Sequence, residues 1–390
     1  MNSYPKILLI NEFGFKAGAP TGWNLERLFS GLEKYFPELN CKVFSGFIRH
    51  YESGGMAAAR ILNMIYVYSL LPFFLLYQRP AYCLVMTSPP GIQLWTLFFA
   101  RLFHIKTALW AMDMHPELEA RIFDQQKLFS VFSKLLRRID QWSMQNFDFV
   151  IVLDQAMAEL VREKAPEQDV FVYPTMLEQK AATMNTPVTC TKTLTPLKLV
   201  YAGNFGVAHE SLFLEKVIRT MLDSGMILEF MTVGTSIKGE KEFGRLKDLY
   251  HFNYKKIGRK KPEELPELFS ECHFGLVLMK PMYKGIVSPS KFLDYINNQL
   301  PILYCGPENT NAYEVCGRFG GGIWVSDQNL NWKNQIFDAA QNKSYEQLIQ
   351  GTLKAMEYYQ NKNAGGLAME ILKRWKLNEP VENANRGLVK

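Results

Sequence analysis

Short apolar runs bounded by turn residues recur along most of this chain, and helical stretches separate them. Strands that alternate with helices form parallel sheets built from βαβ units. The pattern therefore predicts an α/β fold with two sets of six strands. The predicted strands cover 6–13, 41–47, 82–87, 107–113, 149–154 and 170–173 in the first half, and 197–204, 227–234, 254–258, 274–279, 301–305 and 322–325 in the second.

The region 176–196 separates the two sets and is rich in Thr, Ala and Pro without apolar periodicity, which is typical of a linker. A chain of 390 residues that is 48% hydrophobic can bury the cores of two domains. We predict an N-terminal domain over 1–180, a linker over 181–196, a C-terminal domain over 197–375 and a polar tail over 376–390. In open parallel sheets ligands bind beyond the carboxyl ends of the strands, so we expect the functional residues in the loops that follow the strands.

Composition excludes several classes of function. The net charge of +6 is too small to suggest a nucleic-acid-binding protein, and the basic residues do not interleave with aromatic ones. The six cysteines form no C-x-x-C pair, which argues against a zinc site and a disulfide framework. The first residues lack the pattern of a signal peptide, so we expect a cytoplasmic protein.

Two segments bear on membranes. The stretch 61–77 has no charged residue but contains Asn63 and Pro72. It suits a buried helix, which we favour, a membrane-spanning helix, or a helix on a membrane surface. The stretch 127–142 is apolar on one side and carries Lys134, Arg137 and Arg138 on the other. With 70–77 and 94–103 it would suit docking on an anionic bilayer, which makes the inner membrane surface a candidate partner.

The segment 288–295 reads Ser-Pro-Ser-Lys-Phe-Leu-Asp-Tyr and predicts a helix N-terminus. Ser288 suits the N-cap and Pro289 the first position, which puts Ser290 and Lys291 in the first turn. The helix dipole disfavours a cation there unless an anion binds between them. Asp294 lies on the same face and could accept hydrogen bonds from a ribose diol, or it could form only a surface ion pair with Lys291.

This segment resembles the donor-binding signature of family-4 retaining glycosyltransferases, and within them the bacterial surface-polysaccharide branch. The resemblance implies the GT-B fold, in which two Rossmann-like domains face each other across a cleft. It implies that Lys291 holds the diphosphate of a nucleotide sugar, with Ser290 beside it, and that Asp294 holds the ribose. The segment 201–206, with Asn204 at the end of a strand, resembles the glycine turn that opens the second domain. The resemblance covers about residues 6–330.

Other segments extend the resemblance. The loop 16–22 follows the first strand, and in the family the matching loop approaches the diphosphate and the acceptor, so Gly18 and Gly22 are assigned that role. The run 113–117 resembles the acceptor-side motif, which makes Asp113 and Glu117 the candidates that face the transferred sugar and the acceptor hydroxyl. His115 in the same run has either a functional or only a structural role. Arg259, in a basic cluster that otherwise suggests a solvated face, is a candidate partner of the diphosphate.

His209 and Glu210 would either approach the donor or cap a helix, and we favour the cap. Two positions depart from the family. Ile286 stands where the family has an acidic residue, and Gln299 stands where it tends to have glycine, so we expect Asn298 to take the left-handed conformation instead.

The resemblance implies a hexosyltransferase that moves a sugar, with retained configuration, to a hydroxyl of a saccharide or a lipid-linked acceptor in cell-surface polysaccharide biosynthesis. Lys291 would serve catalysis by offsetting the charge of the departing diphosphate. No D-x-D pair suggests a metal site, and no cofactor besides the donor substrate is implied. Two alternatives stay open. One is a nucleotide-sugar epimerase of the same fold, and the other is a non-catalytic GT-B partner protein.

Overall fold

A computed structural model of the chain describes residues 5–12, 20–47, 56–124, 130–177, 194–209, 211–341 and 343–377. The strands in this part of the chain are β1 (Lys6–Ile10), β2 (Asn40–Phe44), β3 (Tyr82–Met86), β4 (Lys106–Trp110), β5 (Phe149–Val152), β6 (Val170–Val172), β7 (Leu197–Ala202), β8 (Leu228–Val233), β9 (Asn253–Ile257), β10 (Phe274–Leu278), β11 (Ile302–Cys305) and β12 (Gly322–Val325). Each of the twelve predicted strands is thereby confirmed.

Helices connect nearly all of these strands. They are α1 (Pro20–Tyr35), α2 (Met56–Gln78), α3 (Ile92–Leu102), α4 (Glu117–Asp124), α5 (Ser130–Met144), α6 (Gln155–Lys164), α7 (Leu212–Asp223), α8 (Ile237–Tyr250), α9 (Leu265–Ser270), α10 (Lys291–Asn297), α11 (Asn311–Gly317), α12 (Trp332–Ala340), α13 (Tyr345–Asn361) and α14 (Ala364–Arg374).

The strands form two parallel six-stranded sheets, in the orders β2-β1-β3-β4-β5-β6 and β12-β11-β10-β7-β8-β9. The central strands are buried along nearly their whole length, as expected when helices cover both faces of a parallel sheet. Continuous apolar runs such as Phe149–Val152 are the sequence signature of such strands. The α/β fold class and the count of six strands per domain are confirmed.

The chain divides into two compact units. The first unit comprises 1–176, 285–287 and 362–390, and the second comprises 177–284 and 288–361. Most of the predicted linker lies outside the described residues. The predicted C-terminal domain extends to residue 375. In the structure its last helix, α14, belongs to the first unit instead.

Aromatic packing explains where α14 belongs. Trp375, which follows the helix, is 2% exposed and packs on Tyr82 and Phe149 of the first sheet, with ring centroids 4.9 and 5.4 Å apart. Gly31 of α1 lies so close to Ala364 that an added Cβ would stand 2.8 Å from the alanine Cβ. These contacts join residues far apart in sequence, so helical periodicity alone could not reveal them.

The predicted helix over 61–77 is present as part of α2. We favoured a buried helix, but only one face of α2 is buried. Val67, Leu71 and Leu75 are fully buried, whereas the window Arg60–Gln78, with a mean hydropathy of 1.5, is only 28% buried. By length and composition it is the one described helix that could cross a membrane.

We expect Trp375→Ala to destabilise the first unit by about 3–5 kcal/mol, because the change leaves a large cavity among Tyr82 and Phe149. Hydrogen exchange followed by mass spectrometry should show lost protection in β3 and β5 and unchanged protection in β7 and β8. Leu330→Ala, at a side chain that is 90% exposed, is the control and should change neither unit. Loss of protection in the second unit would contradict the assignment of this segment to the first.

Candidate functional site

The strand order of each sheet reverses at one point. Connections run outward in opposite directions from β1 and β3 in the first sheet, and from β7 and β10 in the second. Crevices beyond the carboxyl ends of strands at such reversals are where open α/β sheets bind ligands. Polar groups collect at both places, and each unit has its own set.

In the second unit the set centres on Lys291, at the start of α10. Its Nζ lies 2.7 Å from Tyr201 Oη, 2.7 Å from the Asn204 carbonyl oxygen and 3.1 Å from His209 Nε2. The same Nζ is 4.4 Å from the centroid of the Tyr201 ring. The lysine of α10 is therefore enclosed by the segment that follows β7.

The three partners match a neutral amine. The Gly206 N–H donates to His209 Nδ1 at 2.9 Å, and burial is the largest cause that lowers the pKa of His209, to about 3. The imidazole is then neutral, with its proton on Nε2, and it can only donate to the lysine. An ammonium could not accept that hydrogen bond. A neutral amine accepts it and has two N–H groups left, one for Tyr201 and one for the Asn204 carbonyl.

The charge balance at this lysine agrees with its hydrogen bonds. Burial lowers the pKa of Lys291 from 10.5 to about 7, and the nearby Asp294 only partly offsets the effect. Near neutral pH the neutral form of this amine is therefore more accessible than it is for an exposed lysine. A lysine with so low a pKa gains a strong electrostatic partner when an anion enters the site.

The backbone around Lys291 is built for this close approach. Gly203 has a φ of +98°, and a Cβ there would stand 2.9 Å from Lys291 Cε, so only glycine fits. Below the lysine, the Ala202 N–H donates to the hydroxyl of the buried Tyr295 at 2.8 Å. The helix begins at Lys291 with Ser290 as N-cap, so the expectation that Ser288 caps it and Pro289 starts it was wrong.

The other predicted donor-side residues lie at the same edge of the second sheet. Asp294 and Ser290 are exposed on either side of Lys291 in sequence. Asn204 contributes its carbonyl to Lys291, while its side chain is exposed. Arg259 is exposed after β9, and its Cα lies close to Gly234 at the end of β8, where an added Cβ would be 3.3 Å from it.

His209 was expected to serve as a helix cap, but the structure places it against Lys291. Glu210 lies outside the described residues. No signal in a single sequence gave the pairing of His209 with Lys291, because 82 residues separate them.

In the first unit, Asp113 follows β4 and is partly buried. The Thr87 hydroxyl accepts hydrogen bonds from the N–H groups of Met112 and Asp113, at 3.1 and 3.3 Å. Burial raises the pKa of the Asp113 carboxyl, Glu119 raises it further, and His115 opposes the effect. Asp113 can therefore hold a proton more readily than an exposed aspartate.

Sequence reasoning missed Glu12, which follows β1 at the reversal of the first sheet. The Ser88 hydroxyl donates to Glu12 Oε2 at 2.9 Å, and the Glu12 N–H donates to the Ser88 carbonyl at 2.6 Å. Its carboxylate is fully buried and lies 3.6 Å from Arg60. Strand order places Glu12 at the reversal, and a single sequence does not show that order.

His115 has a structural partner in the same set. Its Nδ1 lies 2.6 Å from Glu119 Oε1, one turn along α4, and Gln93 donates to its carbonyl at 2.6 Å. The hydrogen bond to His115 holds the pKa of Glu119 below its usual value even though burial raises it. Glu12, Asp113, His115 and Glu119 thus gather acid and base groups within the first unit.

Glu117 does not face an open site. Its carboxylate is 2% exposed and accepts from Lys164 at 2.8 Å, from Arg121 at 3.1 Å and from Arg137 at 3.3 Å. Lys164 also pairs with the buried Asp140. The prediction that Glu117 meets the acceptor is corrected, because its two oxygens are already used to join α4, α5 and α6.

The remaining positions are settled by the backbone. Gly18 lies outside the described residues, and Gly22 is buried inside the first turn of α1 rather than in a loop. Ile286 is fully buried in the first unit, where its carbonyl accepts from the Met114 N–H at 2.8 Å. Gln299 itself takes the left-handed conformation, with a φ of +57°, so the expectation for Asn298 was wrong.

Solved structures resemble the whole chain. Sucrose-phosphate synthase from Thermosynechococcus elongatus is 11% identical and aligns with a TM-score of 0.63 over 95% of this chain and 98% of its own. HepE from Anabaena in complex with UDP is 9% identical, with a TM-score of 0.61 over 95% and 99%. The E. coli trehalose-6-phosphate protein bound with UDP-2-fluoro glucose is 10% identical, with a TM-score of 0.60 over 96% and 100%.

These similarities establish the fold. The chain has the GT-B fold of its structural neighbours, as the resemblance in its sequence implied. No protein-family model matches the sequence, and no curated protein matches it.

We expect Lys291 to titrate near pH 7, below the ordinary pKa of 10.5, because its amine is partly buried among groups that suit the neutral form. Competitive acylation across a pH series, read by mass spectrometry, should show its reactivity rising around pH 7. Lys354, which is exposed on α13, is the matched control against which the reactivity of Lys291 is compared. A normal titration of Lys291 would contradict the neutral-amine assignment.

Proposed function

We propose that this protein is a retaining glycosyltransferase. It transfers a hexose from a nucleotide-diphosphate sugar to a hydroxyl of a saccharide or a lipid-linked acceptor, in the cytoplasm, during the synthesis of cell-surface polysaccharide. The observation that carries the proposal is the partly buried Lys291 amine, with its lowered pKa, at the strand reversal of the second unit. The UDP and UDP-sugar complexes of structural neighbours support a nucleotide-sugar donor.

The second unit would hold the donor. The diphosphate replaces the neutral partners of Lys291, takes an ammonium as its counterion, and thereby raises the lysine pKa. Asp294 is proposed to accept from the ribose hydroxyls, and Ser290 and Arg259 to donate to the phosphates. As the bond between sugar and diphosphate breaks, negative charge grows on the leaving oxygen, and a fixed cation stabilises that charge.

The first unit would supply the groups that meet the acceptor. Asp113 is the candidate to exchange a proton with, or to hydrogen-bond, the acceptor hydroxyl, because its carboxyl is partly open and its pKa is raised. Glu12 and the His115–Glu119 pair are further polar groups of the same unit. We expect transfer to persist in the presence of a chelator, because no D-x-D pair in the sequence suggests a metal site.

A nucleotide-sugar epimerase is the second candidate. It needs several acid and base groups around the sugar, and the set of Glu12, Asp113, His115 and Glu119 favours it. Incubating the protein with a donor and no acceptor separates the two functions. An epimerase changes the sugar configuration, which NMR detects, whereas a transferase leaves the donor intact or hydrolyses it slowly.

We expect Lys291→Ala to abolish transfer and to change the melting temperature of the free protein little, because the amine supports ligand charge rather than the core. A panel of nucleotide sugars should stabilise the wild-type protein in thermal-shift measurements, by about 2.7 kcal/mol at 100 times the dissociation constant. The variant should lose that shift. Lys354→Ala is the control, and normal turnover by Lys291→Ala would overturn the site.

Asp113→Asn should lower turnover, whereas Glu117→Gln should lower stability. The first removes a proton-exchanging group and should lower turnover by about 10²–10⁴-fold while nucleotide-sugar binding and stability stay unchanged. The second leaves Lys164 and Arg137 short of a buried partner. It should cost about 3 kcal/mol of stability, as broken buried ion pairs do. Denaturant unfolding and initial rates check both, and a reversed pattern would restore Glu117 as the acceptor-side residue.

A further inference from the structure

Helix α2 lacks a polar outer face. Its buried side is formed by Asn63, Val67, Leu71, Leu75 and Gln78. Its exposed residues are Arg60 near the start of the helix, Ser69, and apolar residues that are between 40% and 82% exposed, namely Ile61, Leu62, Ile65, Leu70, Phe73, Leu76 and Tyr77. A helix that is apolar all round is normally buried or in contact with lipid. Packing within the first unit accounts for only one side of α2.

Two neighbouring helices extend the apolar surface. The indole N–H of Trp95 on α3 donates to the Tyr68 carbonyl of α2 at 2.8 Å, and the Arg101 guanidinium of α3 lies 5.8 Å from the Trp142 ring of α5. Of the 25 exposed large apolar side chains in the described residues, 14 lie on these three helices, so the surface is a patch rather than scattered residues. The members on α3 and α5 are Trp95, Phe98, Leu102, Val131, Phe132, Leu135 and Trp142.

An open apolar groove adjoins this surface. It has a volume of about 560 Å³ and lies between β2, at the edge of the first sheet, and α2. Phe73 and Tyr77 line it and also belong to the outward side of α2, and Phe47, which is 55% exposed, stands on the opposite wall. The groove therefore opens on the same apolar surface.

Positive charges predominate around the surface, and the exposed Asp124 of α4 is paired with Arg137 of α5. Between Glu52 and Asp113 the sequence contains no carboxylate, although that stretch includes all of α2 and α3. Exposed Arg101 stands at the end of α3, and exposed Lys134 and Arg138 lie on α5 beside its apolar side chains. An apolar patch with aromatic residues and a basic rim is complementary to a bilayer that carries anionic headgroups.

We propose that the first unit docks on an anionic membrane surface through α2, α3 and α5, here called the docking face. The apolar side chains enter the headgroup and acyl boundary, and the basic residues contact lipid phosphates. A spanning arrangement of α2 is disfavoured because Val67, Leu71 and Leu75 are fully buried in the first unit. A second copy fits less well, because a symmetric dimer would set the basic rim against itself.

Docking would bring a lipid-linked acceptor to the enzyme, so the purpose of this face rests on the proposed function. Lipid binding itself needs no turnover. Membrane docking and the proposed transferase function can therefore fail separately. Nucleotide-sugar binding in a thermal-shift assay tests the proposed function without involving the membrane.

Co-sedimentation with vesicles tests the proposal. The full chain should pellet with vesicles of phosphatidylcholine and phosphatidylglycerol, less with phosphatidylcholine alone, and less at high salt, which screens the basic residues. One exposed apolar residue is changed on each helix in the variant Phe73→Ser, Phe98→Ser and Leu135→Ser. We expect it to bind anionic vesicles more than about tenfold more weakly. Lys134→Glu with Arg138→Glu should weaken binding about tenfold or more.

The matched control is Leu249→Ser with Leu330→Ser, which removes exposed apolar residues from the second unit and should leave vesicle binding unchanged. The thermal shift by a nucleotide sugar, measured on every variant, shows whether each protein is folded and functional. The proposal is overturned if the wild-type chain stays in the supernatant, or if the triple variant pellets like the wild type. It is also overturned if the face forms a dimer without lipid, as light scattering would show.

Discussion

The hydrogen bonds of one partly buried amine set the chemistry of the second unit. Lys291 is satisfied without a charge, because Tyr201 and the Asn204 carbonyl accept from it and His209 donates to it. That arrangement requires a neutral histidine, a glycine at position 203 and a helix that starts at the lysine itself. Each requirement is met by a neighbouring element, so the turn after β7 and the start of α10 form one structural unit. An anion that enters here meets a group ready to take up a proton.

The strand order of each sheet reverses at one point, and the two reversals carry opposite chemistry. The reversal of the first sheet gathers carboxyl groups, with Glu12 held by Ser88 and Asp113 close to Glu119. The reversal of the second sheet gathers an amine and an imidazole. Under the proposed function, the amine of the second unit would serve the diphosphate of the donor, and the carboxyl groups of the first unit would serve the acceptor hydroxyl.

Features that depend on a local sequence pattern were predicted correctly, whereas features that depend on contacts between distant residues were not. All twelve strands followed from apolar runs bounded by turns, and Lys291 followed from the conflict between a cation and a helix N-terminus. Glu117 was misplaced because sequence shows a carboxylate near a strand end but not the three cations that enclose it. Helix α14 was misplaced for a similar reason, since its aromatic partners lie some 200 to 300 residues away. Glu12 was missed because its importance comes from strand order, which the sequence does not show.

The low pKa of Lys291 couples the stability of the protein to its ligand. Between about 7 and 10.5 the unfolded chain holds a proton on this lysine that the folded chain lacks, so the stability of the free protein rises with pH across that window. A bound anion stabilises the ammonium and raises the folded pKa towards its ordinary value, which weakens that dependence. Binding in this window therefore takes up a proton, and release of the anion returns it. Because the pKa of this amine is lowered to about 7, little free energy is needed to add or remove its proton near neutral pH, which suits the proposed binding and release of a diphosphate.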